Sequence, residues 1–234
     1  MLTPLVLVPG LLTDERLWSH QINDLSDITT PLAANVPTSD SVSGMARDIL
    51  EWAPENFALA GLSMGGYIAL EIMRQAPERV NALALLDTSA RADTQEQTEA
   101  RLELLKLAAS DRFEEVLQLL LPRLLHPGRL TDEGLVSTVL DMARSVGPEV
   151  FERQERAIIA RPDSRKDLAS FKCPTLVLCG REDELTPLRV HEEIAQSVPN
   201  ARLHVIDDCG HLSPIERPAD VNEALRDWFK RAES

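Results

Sequence analysis

Gly61-Leu62-Ser63-Met64-Gly65-Gly66 follows directly on the short apolar run Phe57-Ala58-Leu59-Ala60. A strand that passes at once into Gly-x-Ser-x-Gly has to turn sharply into the helix that follows. Small residues two places before and two places after the serine keep side chains from colliding. The turn strains the serine backbone and lifts its hydroxyl clear of the sheet. It also sets Ser63 at a helix N-terminus, where unpaired N–H groups and the helix dipole favour developing negative charge. Ser63 is therefore a candidate nucleophile for acyl transfer. The next stretch, Tyr67-Ile68-Ala69-Leu70-Glu71-Ile72-Met73, is apolar on most faces and stops before Pro77, as a buried helix does. Gly and Ser are common residues, so the hexapeptide alone also fits a strand-to-helix turn without chemistry. The rest of the chain decides.

Six short apolar runs read as strands: Leu5–Val8, about Ile28–Ala33, Phe57–Ala60, Ala82–Leu86, Thr175–Cys179 and Arg202–Ile206. The first, third, fourth and fifth are continuously apolar, as parallel strands covered on both faces are. The last alternates, Leu203 and Val205 against Arg202 and His204, and suits a half-exposed edge. Helix-like stretches lie between them at Asp14–Leu25, Val42–Trp52, Gly65–Gln75, Leu188–Ser197 and Ala219–Arg231. Alternating strand and helix predicts a doubly wound α/β sheet with right-handed crossovers. The long interval before the fifth run breaks that rhythm. Leu102, Leu105 and Ala109 recur at helical spacing, as do Phe113, Val116, Leu117, Leu120 and Leu124, then Leu135, Val139 and Met142. Pro122, Pro127-Gly128 and Gly147-Pro148 punctuate them. The reading is a helical lid at residues 89–169, inserted into a core formed by residues 1–88 and 170–234.

The 234 residues carry 24 basic and 38 acidic side chains, a net charge of −14, which argues against nucleic acid and anionic membrane surfaces as partners. No stretch approaches the roughly 20 apolar residues that span a bilayer. The run Leu5–Leu12 has no basic residue before it and is broken by Pro9 and Gly10, so it reads as a first core strand and not as a signal peptide. Cys173, Cys179 and Cys209 have no metal-ligand spacing and cannot all pair, which fits a reducing cytoplasm. No metal or cofactor is implied.

A serine hydroxyl needs a base within hydrogen-bond reach, and the base needs an orienting acid. Of the five histidines, His20 and His191 fall in expected surface helices, His204 inside a strand and His126 in the lid. Only His211, in Asp207-Asp208-Cys209-Gly210-His211-Leu212, follows the end of a strand, where open α/β sheets place their sites. For the acid, spacing after the fifth strand leaves Glu182, Asp183 and Glu184 open, and Asp87 after the fourth strand is a further carboxylate. A tetrahedral intermediate also needs oxyanion donors. One is the Met64 N–H, next after the nucleophile. The other is the Leu11 N–H in the loop Val8-Pro9-Gly10-Leu11-Leu12. With strand order 2-1-3-4-5-6 the first and third strands are neighbours, so both donors and Ser63 converge on one crevice.

With these residues in place, the chain resembles the α/β-hydrolase superfamily, and within it the small capped esterase and enol-lactonase-like branch. The resemblance rests on Gly61–Gly66, on Pro174-Thr175-Leu176-Val177-Leu178-Cys179-Gly180-Arg181-Glu182-Asp183 and on Cys209-Gly210-His211-Leu212-Ser213-Pro214-Ile215-Glu216-Arg217-Pro218. It implies Asp183 as the triad acid and His211 as the base, in the chain order Ser63, Asp183, His211. Trp18 matches a tryptophan common after the oxyanion loop. The sequence departs from the pattern at Pro9-Gly10, where the family has His-Gly, and at Ala34–Ser41, where it often has Asp-x-Arg-Gly-x-Gly-x-Ser. The antiparallel hairpin that usually opens the fold is missing, which predicts a six-stranded, wholly parallel sheet.

The expected activity is that of a serine carboxylesterase acting on a small or medium ester or lactone with water. Enol-lactone hydrolysis, carbon–carbon bond hydrolysis, cofactor-free perhydrolysis, a lyase role and a small-molecule receptor with little turnover share the same residues. Ser63 in place of Asp argues against dehalogenase and epoxide hydrolase chemistry. Arg123 and Arg129 flank His126 and offer themselves, with His126, as lid contacts for substrate. The insertion is net acidic, so the acyl group is expected to be neutral and apolar.

Overall fold

The computed structural model describes residues 2–36 and 38–232; Pro37, in the departing segment Ala34–Ser41, lies outside them. The strands are β1 (Pro4–Val8), β2 (Thr30–Ala33), β3 (Phe57–Leu62), β4 (Val80–Leu86), β5 (Thr175–Gly180) and β6 (Ala201–Ile206). They form one parallel sheet in the order β2-β1-β3-β4-β5-β6. Every residue of β3 and β5 is buried, while β6 alternates along its length as a half-exposed edge.

The helices are α1 (Ser19–Leu25), α2 (Val42–Trp52), α3 (Met64–Gln75), α4 (Gln95–Ala109), α5 (Phe113–Leu124), α6 (Glu133–Ile159), α7 (Leu188–Ser197), α8 (Ser213–Glu216) and α9 (Pro218–Ala232). Alternation along each strand sends Val6 and Val8 to one face of the sheet and Leu5 and Leu7 to the other. The first face packs on α2, α3 and α7 through Met45, Ile49, Ile68 and Ile194. The second packs on α1 and α9 through Leu25, Val221, Leu225 and Phe229. Start signals are local: Ser41 caps α2 through Gly44 N–H, and Thr94 and Gln97 form a reciprocal capping box on α4. The expected helix from Asp14 begins instead as a 3-10 turn, Glu15–Trp18, capped by Asp14 and followed by α1.

Between β4 and β5 stand α4, α5 and α6, an arrangement that fits a cap over the sheet's C-terminal edge. Val116, Leu117, Leu120, Ala143 and Phe151 make a separate apolar cluster there, and Leu12 of the loop after β1 belongs to it. The buried stripe of α4 is shifted from the expected one. Leu102 and Ala109 are exposed, and Leu104, Leu105 and Ala108 face the cluster. Long side chains lean toward a helix N-terminus, and three-residue spacing alone does not fix the face. Gly147-Pro148 kinks α6 without ending it. Gly147 has φ 76°, which glycine adopts without steric cost, and its surroundings are open.

Candidate active site

Ser63 joins β3 to α3 with φ 54° and ψ −113°, a backbone conformation strained for any residue with a Cβ. The surroundings hold it there. Ser63 N–H donates to the Leu86 carbonyl (3.0 Å), and the Ser63 carbonyl accepts from Gly66 N–H (2.9 Å), Tyr67 N–H (3.2 Å) and the Thr88 hydroxyl (2.7 Å). The flanking glycines are there for close approach. A Cβ on Gly61 would overlap the Gly65 carbonyl, and one on Gly65 would overlap the Val8 carbonyl of β1.

Three side chains from three loops form one hydrogen-bonded chain. His211 Nε2 lies 2.8 Å from Ser63 Oγ, and His211 Nδ1 lies 2.8 Å from Asp183 Oδ2. Asp183 also accepts from Leu185 N–H (2.8 Å), Thr186 N–H (3.0 Å) and the Thr186 hydroxyl (2.6 Å). Burial pushes the Asp183 carboxyl up, but the neighbouring His211 and the Thr186 bonds outweigh it and hold the group below its ordinary value. At His211 burial pushes downward, and the Asp183 charge and hydrogen bond outweigh it, so the imidazole is held above its ordinary value. Glu182 instead accepts from Cys209 N–H, and Glu184 is exposed. Asp87 is buried and bonds elsewhere, to Gly180 N–H (2.9 Å) and the Ser213 hydroxyl (2.5 Å). Burial first, then the Asp183 charge, push its carboxyl well above the usual range. It ties together the strand end before Asp183 and the loop after His211.

Two backbone donors sit beside this chain. Gly10 packs on Ser63 so closely that an added Cβ would stand 3.4 Å from Ser63 Cβ. Among the described residues, no hydrogen bond takes up the N–H of Leu11 or of Met64. The loop after β1 is fixed from the cap. Leu12, at φ 57°, donates its N–H to the buried Gln154 Oε1 of α6 (3.0 Å).

A cavity of about 200 Å³ opens over Ser63 and His211, with Leu104, Leu120 and Leu124 of the cap on its wall. Arg123 lines it; His126 and Arg129 do not. His126 is used by its backbone, whose N–H donates to Glu216 Oε2 (2.8 Å), and Arg129 donates to the Glu216 carbonyl. Glu216 also accepts from Leu212 N–H (3.1 Å), and His211 N–H donates to the Leu124 carbonyl (3.0 Å), so the end of α5 is stitched to the loop of His211. His191 is another correction. It is buried, not on the surface, and its Nε2 accepts from Thr88 N–H (2.8 Å). Burial pushes its imidazole down to about 4, so it stays neutral and able to accept. The wall is also less apolar than expected, since Arg91, Arg101, Arg161 and Arg189 join Arg123 on it. Arg101 donates to Asp93 (2.8 Å) and Glu155 (2.9 Å), and Arg161 pairs with Asp93 and lies over the Tyr67 ring at 4.2 Å. Among the described residues no group of His, Cys, Asp and Glu could hold a metal ion, and no helix is long and apolar enough to cross a membrane.

A strained serine between strand and helix, bonded to a histidine that is bonded to an aspartate, on a parallel sheet of this order, narrows the family to one. The profile of the alpha/beta hydrolase fold matches residues 45–218. The chain belongs to the α/β-hydrolase fold family. Among curated α/β-hydrolase relatives, a 2-hydroxy-6-oxononadienedioate/2-hydroxy-6-oxononatrienedioate hydrolase of Paraburkholderia phymatum is 32% identical over 181 residues, covering 75% of this chain and 62% of that protein. A solved thermophilic esterase of Thermogutta terrifontis superposes with a TM-score of 0.91 at 29% identity, covering 99% of this chain and 91% of the other. An enol-lactonase of Burkholderia xenovorans LB400 shares the α/β-hydrolase fold at a TM-score of 0.91 and 23% identity, over 98% of this chain and 92% of its own.

The site residues differ in how they stand in the sequence. Ser63, His211 and Asp183 lie in recognisable runs. Thr88, Gln154, Thr186 and Glu216 carried no signal except that Glu216 lies within the third motif. Their partners are set by the fold and not by spacing.

Proposed function

We propose that the protein is a serine hydrolase that cleaves a small or medium carboxylic ester through an acyl-enzyme. The observation that carries this reading is the chain of two 2.8 Å contacts from Asp183 through His211 to Ser63. Ser63 Oγ attacks the acyl carbonyl carbon as His211 Nε2 takes its proton. The carbonyl oxygen becomes an oxyanion, bound by the N–H groups of Leu11 and Met64. His211 then gives the proton to the leaving alcohol as the carbon–oxygen bond breaks. Water, deprotonated by His211, attacks the acyl-enzyme, and the proton returns to Ser63 as the acid departs. Asp183 orients the imidazole and stabilises its cation. The esterase relative supports the ester reading. Hydrolysis of an oxo-dioate, the substrate class in the name of the Paraburkholderia phymatum relative, is a second reading on the same residues. Residues 89–169 would be the lid, and 1–88 with 170–234 the catalytic core.

The test is labelling by a fluorophosphonate probe followed by a p-nitrophenyl ester burst. One equivalent of label on Ser63 and a stoichiometric burst of p-nitrophenol are expected. A folded protein that neither labels nor bursts refutes the reading. Label without steady turnover points to a receptor.

Two further outcomes follow from the geometry. A base must be neutral, and His211 is held above its ordinary value of about 6.5. The kcat/KM profile of the free enzyme is therefore expected to rise with pH through a midpoint above 6.5. A midpoint below it, with chemistry limiting, contradicts the assignment. Gln154→Leu removes the acceptor that fixes Leu12, one residue from the Leu11 donor. A loss in kcat of about tenfold to a hundredfold is expected, with KM little changed and activity restored in Gln154→Glu. A stopped assay of both variants measures it.

A further inference from the structure

We propose that the substrate of this site carries a carboxylate, held at the pocket by Arg123 of α5 and Arg189 of α7. The proposal rests on the hydrolase reading and adds a substrate class to it. Its starting point is a reversal of sign. The chain as a whole has 38 acidic and 24 basic side chains. The residues that line the cavity include five arginines, one glutamate and no aspartate. An acidic protein that gathers arginine at the pocket over Ser63 has built a local field for an anion.

Three of the five arginines are already matched. Arg101 lies between Asp93 and Glu155, Arg161 pairs with the same Asp93, and Arg91 pairs with Glu193 at 2.8 Å. Arg101 and Arg161 spend their charge within residues 89–169, and Arg91 ties that segment to α7. Arg123 and Arg189 have neither an ion pair nor a hydrogen bond among the described residues. Arg189 also gains nothing from its own helix. It stands in the first turn of α7, where the dipole disfavours a cation.

Both arginines are attached to the machinery at short range along the chain. Arg123 precedes Leu124, whose carbonyl accepts the His211 N–H. Arg189 follows three residues after Thr186, whose hydroxyl donates to Asp183. A carboxylate gripped by these two guanidinium groups is registered against the base and the acid. Arg123 and Arg189 are both exposed, so they stand where the pocket meets solvent, with Leu104, Leu120 and Leu124 on the wall beside them. Planar guanidinium donors match a carboxylate in two-point fashion, which an ammonium does not. The proposal departs from the neutral acyl group that the net charge of the insertion suggests.

The test uses two matched pairs of esters. Monomethyl glutarate against dimethyl glutarate places the carboxylate on the acyl side. The 4-acetoxybutanoate anion against its methyl ester places it on the alcohol side. In at least one pair, wild-type kcat/KM is expected to favour the charged member by roughly tenfold or more, as a charge-assisted hydrogen bond provides. Calorimetry on Ser63→Ala is expected to show the same preference in affinity. Arg123→Gln and Arg189→Gln should each shrink the ratio, and the double variant should cancel it. Arg112→Gln removes a charge from the same lid, paired with Glu115 outside the pocket, and should leave the ratio as it was. Equal handling of both members in both pairs overturns the proposal, as does a preference that survives the double variant. The hydrolase reading fails separately: absent serine-dependent turnover, a charged preference in calorimetry would still uphold the carboxylate site.

Discussion

Ser63→Ala is expected to lose ester turnover by on the order of a million-fold while keeping its fold. The loss is large because nucleophile and base act as a unit, so removal of one leaves the other without a role. The fold survives because, among the described residues, Ser63 Oγ bonds only His211, whereas the strained backbone is held by Leu86, Gly66, Tyr67 and Thr88. Alanine removes the hydroxyl and leaves the strain. Ser63→Gly removes both. A residue with a Cβ at φ 54° and ψ −113° costs of order 1–3 kcal/mol, and glycine returns part of that through its freer unfolded chain. Ser63→Gly is therefore expected to be equally inactive and more stable than Ser63→Ala by about 1 kcal/mol in urea unfolding. Full activity in Ser63→Ala would remove the nucleophile assignment. Equal stability of the two variants would remove the strain.

The second large effect concerns stability. Arg101→Met is expected to destabilise the protein by about 3 kcal/mol, because it leaves carboxylates buried without their partner. Asp93 keeps Arg161, so most of the cost falls on Glu155, whose side chain is wholly buried. Burial already pushes the Glu155 carboxyl above its ordinary value, with Arg101 opposing. Without Arg101 the folded state holds that proton to higher pH than the unfolded chain does. The folded state then binds more protons, so stability falls as pH rises above the ordinary carboxyl range. Urea unfolding at pH 5 and pH 8 should show the larger loss at pH 8. Arg101→Met with Glu155→Met, which exchanges the pair for apolar groups, should recover much of it. A loss independent of pH would assign the effect to packing.

Continuous apolar runs separated by amphipathic stretches made the sheet legible, because strands buried on both faces have no room for polar residues. The strand-to-helix serine was legible for a similar reason, since the turn excludes side chains on either side of Ser63. Asp183 was separable from Glu182 and Glu184 only by resemblance. Spacing places all three on one loop, and it is the hydrogen bonds of Leu185 and Thr186 that turn one of them toward His211. His191 was misplaced because its helix is amphipathic and a histidine suits either face. Its partner inside is the N–H of Thr88, far away in sequence. The pocket arginines were hidden for another reason. Positions 91, 101, 123 and 161 lie in separate segments of the insertion, where a charge count averages them against its acidic residues, and position 189 lies outside it in α7.

The stitching of Leu124 and His126 to the loop of His211 bears on how such enzymes are recombined. A cap exchanged between relatives at the connections after β4 and before β5 looks like a modular swap of specificity. Here the transplanted segment would bring the carbonyl that anchors His211 and the N–H that engages Glu216. Chimeras that keep the native 124–126 backbone with its own histidine loop should retain rate, and those that split the two should trade turnover for whatever selectivity they acquire.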